Sequence, residues 1–298
     1  MSVDTQSLPY ESLGPPIRGP RALTDDWSRV WHLTFNIARN QWKLRFFGSV
    51  LGYFWQLIRP LLLFGVLYVF FTVIAHIGSG PGSGPGEPNH FYGAQLLGSI
   101  VLFTFFSEST NGAVRCVVDN EALVRKIQFP RMVIPLSVVL LAMFNLGLNL
   151  IVVMVFALIS GVRPMLTWLE LPLLIAMLTF LSVGLAMLLA ALFVYFRDMQ
   201  PIWEVLTQVL FYASPVIVPV TTVEQRLSPA LVHLYMVNPL ATVLQQFRHA
   251  MINHATPSAS ALLGGSVRLL APIAIVVVVF GLGLSVFNRT APYVAENL

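Results

Sequence analysis

Few side chains in this sequence can do chemistry, and their spacing limits what that chemistry could be. Ser107-Glu108-Ser109-Thr110-Asn111 places one carboxylate among hydroxyls and an amide, inside an otherwise apolar run. Such a carboxylate can line a water-filled entrance or pair with neighbouring polar groups, and the residues alone leave both open. Asp119 and Glu121 stand near Arg125 and Lys126, a mixed-charge cluster beside an apolar run. A membrane enzyme acting on a polyprenyl phosphate would need acids and bases gathered at one interface in this way. Six histidines (His32, His76, His90, His233, His249 and His254) are scattered, and none falls in His-Glu-x-x-His. His249 and His254 are five apart, off the i,i+4 spacing that puts two ligands on one helix face. Cys116 is the single cysteine, so neither an internal disulfide nor a multi-cysteine metal site can form. No Gly-Lys pair occurs, which removes the usual phosphate-cradling loop. No Gly-x-Ser-x-Gly elbow occurs either. The expectation is a chain with no catalytic residues, no metal and no cofactor of its own.

Aromatic residues are the other candidates. Phe64, Tyr68 and Phe71 recur at i, i+4 and i+7, and Phe103, Phe106, Phe211 and Tyr212 could face that stripe. Aromatic faces stack on sugars, so the set could line a sugar path. The same stripe also serves ordinary packing or an interfacial belt.

The elements that hold these residues follow from composition. Of 298 residues, 56% are hydrophobic and only 10% are charged, against about 25% charged in soluble domains. Mean hydropathy is +0.77. These values exclude a disordered chain and an ordinary cytosolic enzyme. The net charge of +4 does not argue for nucleic acid, because the basic residues sit in short loops beside apolar runs, where they set membrane topology. Six segments approach the roughly 20 apolar residues that a membrane helix needs. They are residues 57–77, 91–114, 132–159, 169–195, 201–218 and 269–287. They are apolar on all faces, unlike alternating barrel strands. The predicted fold is an all-α integral membrane protein with six transmembrane helices. Arginine and lysine are concentrated before the first span, in the second loop and near the C-terminus, which predicts both termini in the cytoplasm. Residues 1–23 read as a flexible Pro-rich tail with no apolar stretch of the kind that marks a cleaved signal peptide.

Three further regions are too polar to span. In residues 24–45, Trp27, Val30, Trp31, Thr34, Ile37, Ala38 and Gln41 share a helical face while Arg29, His32, Asn36, Arg39 and Lys43 lie opposite. This predicts an amphipathic helix among the lipid headgroups, either a docking element or a plain anchor. Residues 117–131 predict a short cytoplasmic helix ending at Pro130, or else a solvated connector. Residues 214–268 open with Ser214-Pro215 and hold two weak helices within 223–252, split by Asn238-Pro239. Either a pair of helices dipping back from the outer face or an external cap fits them. Residues 78–88 form a Gly/Pro-rich link.

Taken together, four segments resemble the permease subunit of ABC-2-type exporters, above all those that export polysaccharide, O-antigen or teichoic acid. The first is residues 43–52, Lys43-Leu44-Arg45-Phe46-Phe47-Gly48-Ser49-Val50-Leu51-Gly52, with Trp55 and Pro60. The second is Asn120, Leu123, Lys126 and Phe129-Pro130-Arg131 with Pro135. Tyr195-Phe196-Arg197-Asp198 and Ser214-Pro215 flank the fifth span, and Asn238-Pro239-Leu240 with Phe247-Arg248 completes the pattern. Each motif is weak alone, but their order covers residues 30–290. The resemblance implies a half-transporter: a homodimer forming the pore, and two copies of a separate ABC ATPase that carries ATP and Mg2+. On that reading Arg39, Lys43, Arg45, Asn120, Glu121, Lys126, Phe129, Pro130 and Arg131 couple to the ATPase. Phe64, Tyr68, Phe71, Phe103, Phe106, Glu108, Phe211 and Tyr212 line the channel, and Ser214, Pro215, Asn238 and Pro239 form the outer gate. The implied cargo is a lipid-linked glycan, such as a galactan, O-antigen or teichoic acid, moved from the cytoplasm to the outer face of the bacterial inner membrane. A drug or lipid exporter of the same fold, and a polyprenyl-phosphate glycosyltransferase, are the alternatives.

Overall fold

The structure is a computed structural model, and it describes residues 27–46, 50–74, 76, 87, 90–121, 130–224 and 228–291. Among these residues every regular element is helical. Helix α1 covers Trp27–Phe46, and α2 covers Val50–Val69, prolonged by a π turn over Phe70–Ile74. Helix α3 runs Tyr92–Val114, and a short α4 (Cys116–Asp119) follows it. The long α5 is Val133–Ile159, and α6 is Leu171–Tyr195, preceded by a 3-10 turn over Leu166–Glu170. Helix α7 is Met199–Ala213.

Four short helices come next: α8 (Val220–Glu224), α9 (Pro229–Met236), α10 (Pro239–Phe247, continued by a π turn over Arg248–Ile252) and α11 (Ala259–Leu262). A 3-10 turn, Ser266–Leu269, leads into α12, Leu270–Thr290. The first of the two helices expected within 223–252 is therefore broken into two pieces, and the second is continuous.

Among the described residues, four segments are long and apolar enough to cross a membrane by length and composition: Trp55–Ile74, Val133–Ile159, Leu166–Tyr195 and Ser266–Thr290. The other two expected spans miss that description for different reasons. Helix α3 is long enough but carries Gln95, Ser99, Ser107, Glu108, Ser109 and Asn111. It can do so because it is the central helix, packed against α2, α5, α6 and α7 and largely buried. Its hydroxyls are satisfied within the helix: Ser99 Oγ donates to Gln95 O (2.8 Å) and Ser109 Oγ to Phe105 O (2.7 Å). Helix α7 is only 15 residues long, about 22 Å against a hydrocarbon core of about 30 Å. It stops at Ala213, five residues short of the expected 218, because Pro215 and Pro219 cannot supply helical N–H groups.

Helices α6 and α12 make the tightest contact in the bundle. A Cβ on Gly283 would fall 2.0 Å from Gly184 O, and one on Gly184 would fall 2.7 Å from Phe280 Cα. Only glycine lets the two backbones approach so closely, the small-residue packing typical of membrane helices.

Helix α1 lies along α5. Val30, Thr34 and Ala38 form its buried ridge. Phe35 and Trp42 meet Phe144 edge-to-face at 6.0 and 6.3 Å. Trp27 and Trp31 are exposed beside that ridge, and Arg29, His32, Asn36, Arg39 and Lys43 are exposed on the far side. The amphipathic pattern of the sequence thus becomes one face on the bundle, one aromatic flank and one basic face.

Candidate functional site

Glu108 joins three helices. Gln56 Nε2 on α2 donates to Glu108 Oε1 at 3.1 Å, and Asn145 Nδ2 on α5 donates to Glu108 Oε2 at 2.9 Å. Asn149 Nδ2 in turn donates to Asn145 O at 2.9 Å. On the other flank of α3, Asn111 Nδ2 donates to Ser107 Oγ (3.0 Å), and Thr207 Oγ1 of α7 reaches Asn111 Oδ1 at 3.5 Å. One polar layer therefore crosses α2, α3, α5 and α7. Glu108 is paired rather than free, and its two acceptor oxygens are spent on amides that carry no charge. Asn145 thus joins α5 to α3 through Glu108, while Asn149 bonds within α5. Gln56 was not singled out, because its link to Glu108 spans 52 positions and no local pattern signals it.

The aromatic candidates form two groups. Phe64 stacks on Tyr68 at 5.4 Å and meets Phe156 edge-to-face at 5.3 Å. Phe103 contacts Phe211 at 5.0 Å and Phe106 at 6.0 Å, and Phe211 contacts Tyr212 at 5.3 Å. Phe64, Phe103 and Phe106 are buried in the core, and Phe71 and Phe211 are half-buried against it. Tyr68 and Tyr212 are exposed. The structure does not bring the α2 group and the α7 group into ring contact.

The coupling candidates also divide. Arg39, Lys43 and Arg45 are exposed on α1. Asn120 and Glu121 are half-buried, and Asn120 Nδ2 closes α4 by donating to Cys116 O at 2.7 Å. Pro130 and Arg131 are buried, and Arg131 Nη1 donates to Ala291 O, tying the start of α5 to the end of α12. Lys126 and Phe129 lie outside the described residues, as does most of the helix expected at 117–131. Burial pushes the Cys116 thiol well above its usual range, with Asp119 adding to the shift.

The gate candidates sit between the end of α7 and the start of α10, in a segment that is anchored to the bundle. Ser214 ends α7 in an extended conformation and is buried, with Pro215 beside it. Asn238 caps α10, accepting from Leu240 N at 3.0 Å, and Pro239 takes the first helical position where no N–H is missed. The residue that sequence reasoning did not place in the site is Arg248. It is 1% exposed. Its Nε donates to Ser99 Oγ of α3 at 3.0 Å, and its Nη2 donates to Val216 O at 2.8 Å. Nearby, the Phe247 ring occupies the space above Gly98, where a Cβ would meet it at 2.2 Å. Ser99 is seven residues into α3 from Tyr92, about 10 Å along the helix, so this segment reaches below the end of the bundle. An arginine directly after the apolar face of α10 was the available signal. Trp168 Nε1 to Met251 O (2.9 Å), Gln246 Nε2 to Glu170 Oε2 (2.7 Å) and Asn253 Nδ2 to Glu87 O (2.6 Å) complete the anchorage.

His249 and His254 stack at 4.9 Å, and each ring uses Nδ1 on a backbone carbonyl at 2.7 Å. Among the described residues no three metal-binding side chains converge.

Comparison with known proteins identifies the family. The family model described as "ABC-2 type transporter" matches residues 32–252, nearly three quarters of the chain. The chain is similar to an O-antigen export system permease protein RfbA of Myxococcus xanthus, 26% identical over 267 residues that cover 89% of this chain and 95% of that protein. Two RfbA permeases of Klebsiella pneumoniae are 25% identical over 270 residues (90% and 96%) and 24% identical over 225 residues (75% and 82%). The helices packed around α3, the basic face on α1 and the anchored short helices thus belong to an integral membrane transport subunit, and the chain is a member of the ABC-2 type transporter family.

Proposed function

We propose that this chain is the permease subunit of an ATP-driven exporter, which moves a lipid-linked polysaccharide from the cytoplasm to the outer face of the bacterial inner membrane. The observation that carries the reading is its likeness to three O-antigen export permeases over 75–90% of its length. Two copies form the pore, and two copies of a separate ABC ATPase hold ATP and Mg2+. Six helices span the bilayer, α2, α3, α5, α6, α7 and α12, with both termini cytoplasmic. The short α7 reaches across by means of the Ser214-Pro215 turn and the segment it leads into.

The chain's own residues supply leverage and a path. The exposed Arg39, Lys43 and Arg45 of α1 meet the ATPase, and Asn120 and Glu121 extend the contact toward Lys126 and Phe129. A push at α4 reaches α3 directly, and Arg131 carries it to α12 through Ala291. Motion of α3 loads the Arg248–Ser99 bond, so the outer segment carrying Ser214, Pro215, Asn238 and Pro239 moves with it. The Glu108 layer is the polar threshold on the cytoplasmic side, and the sugars slide past Tyr68, Phe71, Phe211 and Tyr212.

Depleting the protein in its host tests this reading. Lipid-linked glycan is expected to accumulate inside the cells and to vanish from the surface. Unchanged surface glycan, with no internal accumulation, would refute it.

A further inference from the structure

The geometry points to a binding site for an amine-headed phospholipid in the cleft between α6, α12 and the short helices. It is independent of what the protein exports and of which side of the membrane this end faces.

Helices α6 and α12 touch at Gly184 and Gly283, and on the side toward the short helices both line a cavity of about 590 Å³. That volume falls in the range of ligand pockets. The floor is an edge-to-face pair, Phe180 and Phe280, with centroids 5.5 Å apart. Met177 and Val276 continue the walls, which are almost wholly apolar. The rim is polar: Glu170 at the start of α6, and Thr242, Gln246 and Ser260 from the short helices.

Depth identifies the kind of occupant. Glu170 and Phe180 are ten residues apart, about 15 Å on a helix. That is half of a hydrocarbon core of about 30 Å. The cleft therefore runs from the interface to the midplane, which is the reach of one acyl chain in one leaflet.

Charge identifies the headgroup. Glu170 is the only ionisable residue in the lining. Gln246 fixes it, donating Nε2 to Glu170 Oε2 at 2.7 Å while accepting from Ala259 N at 3.0 Å through its own Oε1. Glu170 makes no ion pair among the described residues, and its second oxygen has no hydrogen-bond partner there. A headgroup ammonium complements that oxygen, whereas an anionic phosphoglycerol headgroup finds no lysine, arginine or histidine in the lining.

The test uses the full chain, purified with its ATPase partner and reconstituted in bilayers. The bilayers contain phosphatidylethanolamine or phosphatidylglycerol probes with identical chains and a photoreactive group at the acyl terminus. The phosphatidylethanolamine probe is expected to label residues 176–181 and 276–281 several-fold more than the phosphatidylglycerol probe. Glu170→Gln should bring the two to the same level without changing Tm, and Ala176→Trp, which fills the cleft, should abolish labelling by both. Equal labelling of the wild-type chain by the two probes would mean ordinary surrounding lipid and would overturn the proposal. Absence of label from both segments would also overturn it. So would disulfide trapping between two chains through Val277→Cys, because a second copy would then cover the cleft.

Discussion

Glu108 shows how one residue's surroundings decide between readings that its type leaves open. Its carboxylate accepts from Gln56 and Asn145 and forms no ion pair among the described residues. Removing it leaves two amide donors on separate helices without an acceptor, and each lost partner costs about 1–3 kcal/mol when buried. Glu108→Ala is therefore expected to lower Tm clearly, and Glu108→Gln to lower it less, since an amide oxygen can still accept from one of the two. Differential scanning fluorimetry in detergent checks the order; equal Tm values for all three proteins would count against the layer. Cys116 offers a second residue-scale check. Its thiol is buried and its pKa is pushed up, so the reactive thiolate is scarce at neutral pH. Maleimide labelling of the folded protein should be negligible at pH 7 and should appear only on denaturation; fast labelling would place α4 in solvent.

Helices were legible in the sequence where periodicity recorded their surroundings. The amphipathic face of α1 was readable because Val30, Thr34 and Ala38 repeat every four residues. The centrality of α3 was not, because residues 91–114 read as one apolar segment among six, and Gln95, Ser99 and Glu108 do not by themselves say which helices surround them. The pieces between α7 and α12 were half legible. Asn238-Pro239 marked the start of α10, but the Arg248 link to Ser99 joins positions 149 apart, and no local pattern encodes it. Gly184 and Gly283 lie far apart in the sequence, so no local pattern pairs α6 with α12. The contact they make gives an element-scale prediction. Gly283→Val should prevent assembly, because its first added atom would fall 2.0 Å from Gly184 O. Gly281→Ala, on the same helix with no atom within 4 Å of the added Cβ, should be neutral. Membrane-fraction yield on size exclusion separates the two; equal yields would contradict the packing.

At the scale of the whole molecule, the low charge content and its placement matter most. Ten per cent of residues are charged. The basic residues of α1 form an exposed face, while the bundle carries a paired carboxylate and a pinned guanidinium. A proton-driven pump needs ionisable groups that change state along the path. Here Glu108 and Arg248 hold helices together instead, and Glu204 of α7 accepts from Gln200 on its own helix, which fits a chain moved by force applied from a partner. Six apolar segments were expected to span, and among the described residues four are long and apolar enough to do so. The other two differ from them in kind: α3 is polar and largely buried by its neighbours, and α7 is short and ends at the Ser214-Pro215 turn.

Transport in a defined system tests this account most directly. The chain and its ATPase would be reconstituted in vesicles containing a lipid-linked O-antigen-type glycan, and the glycan reaching the side opposite the ATPase would be measured with an impermeant lectin. The account predicts transfer that requires ATP, requires both proteins, and falls at least about tenfold, roughly 1.4 kcal/mol in the barrier, when Arg39 and Lys43 are both changed to glutamate. Transfer by the chain without its ATPase, or driven by a proton gradient alone, would contradict it.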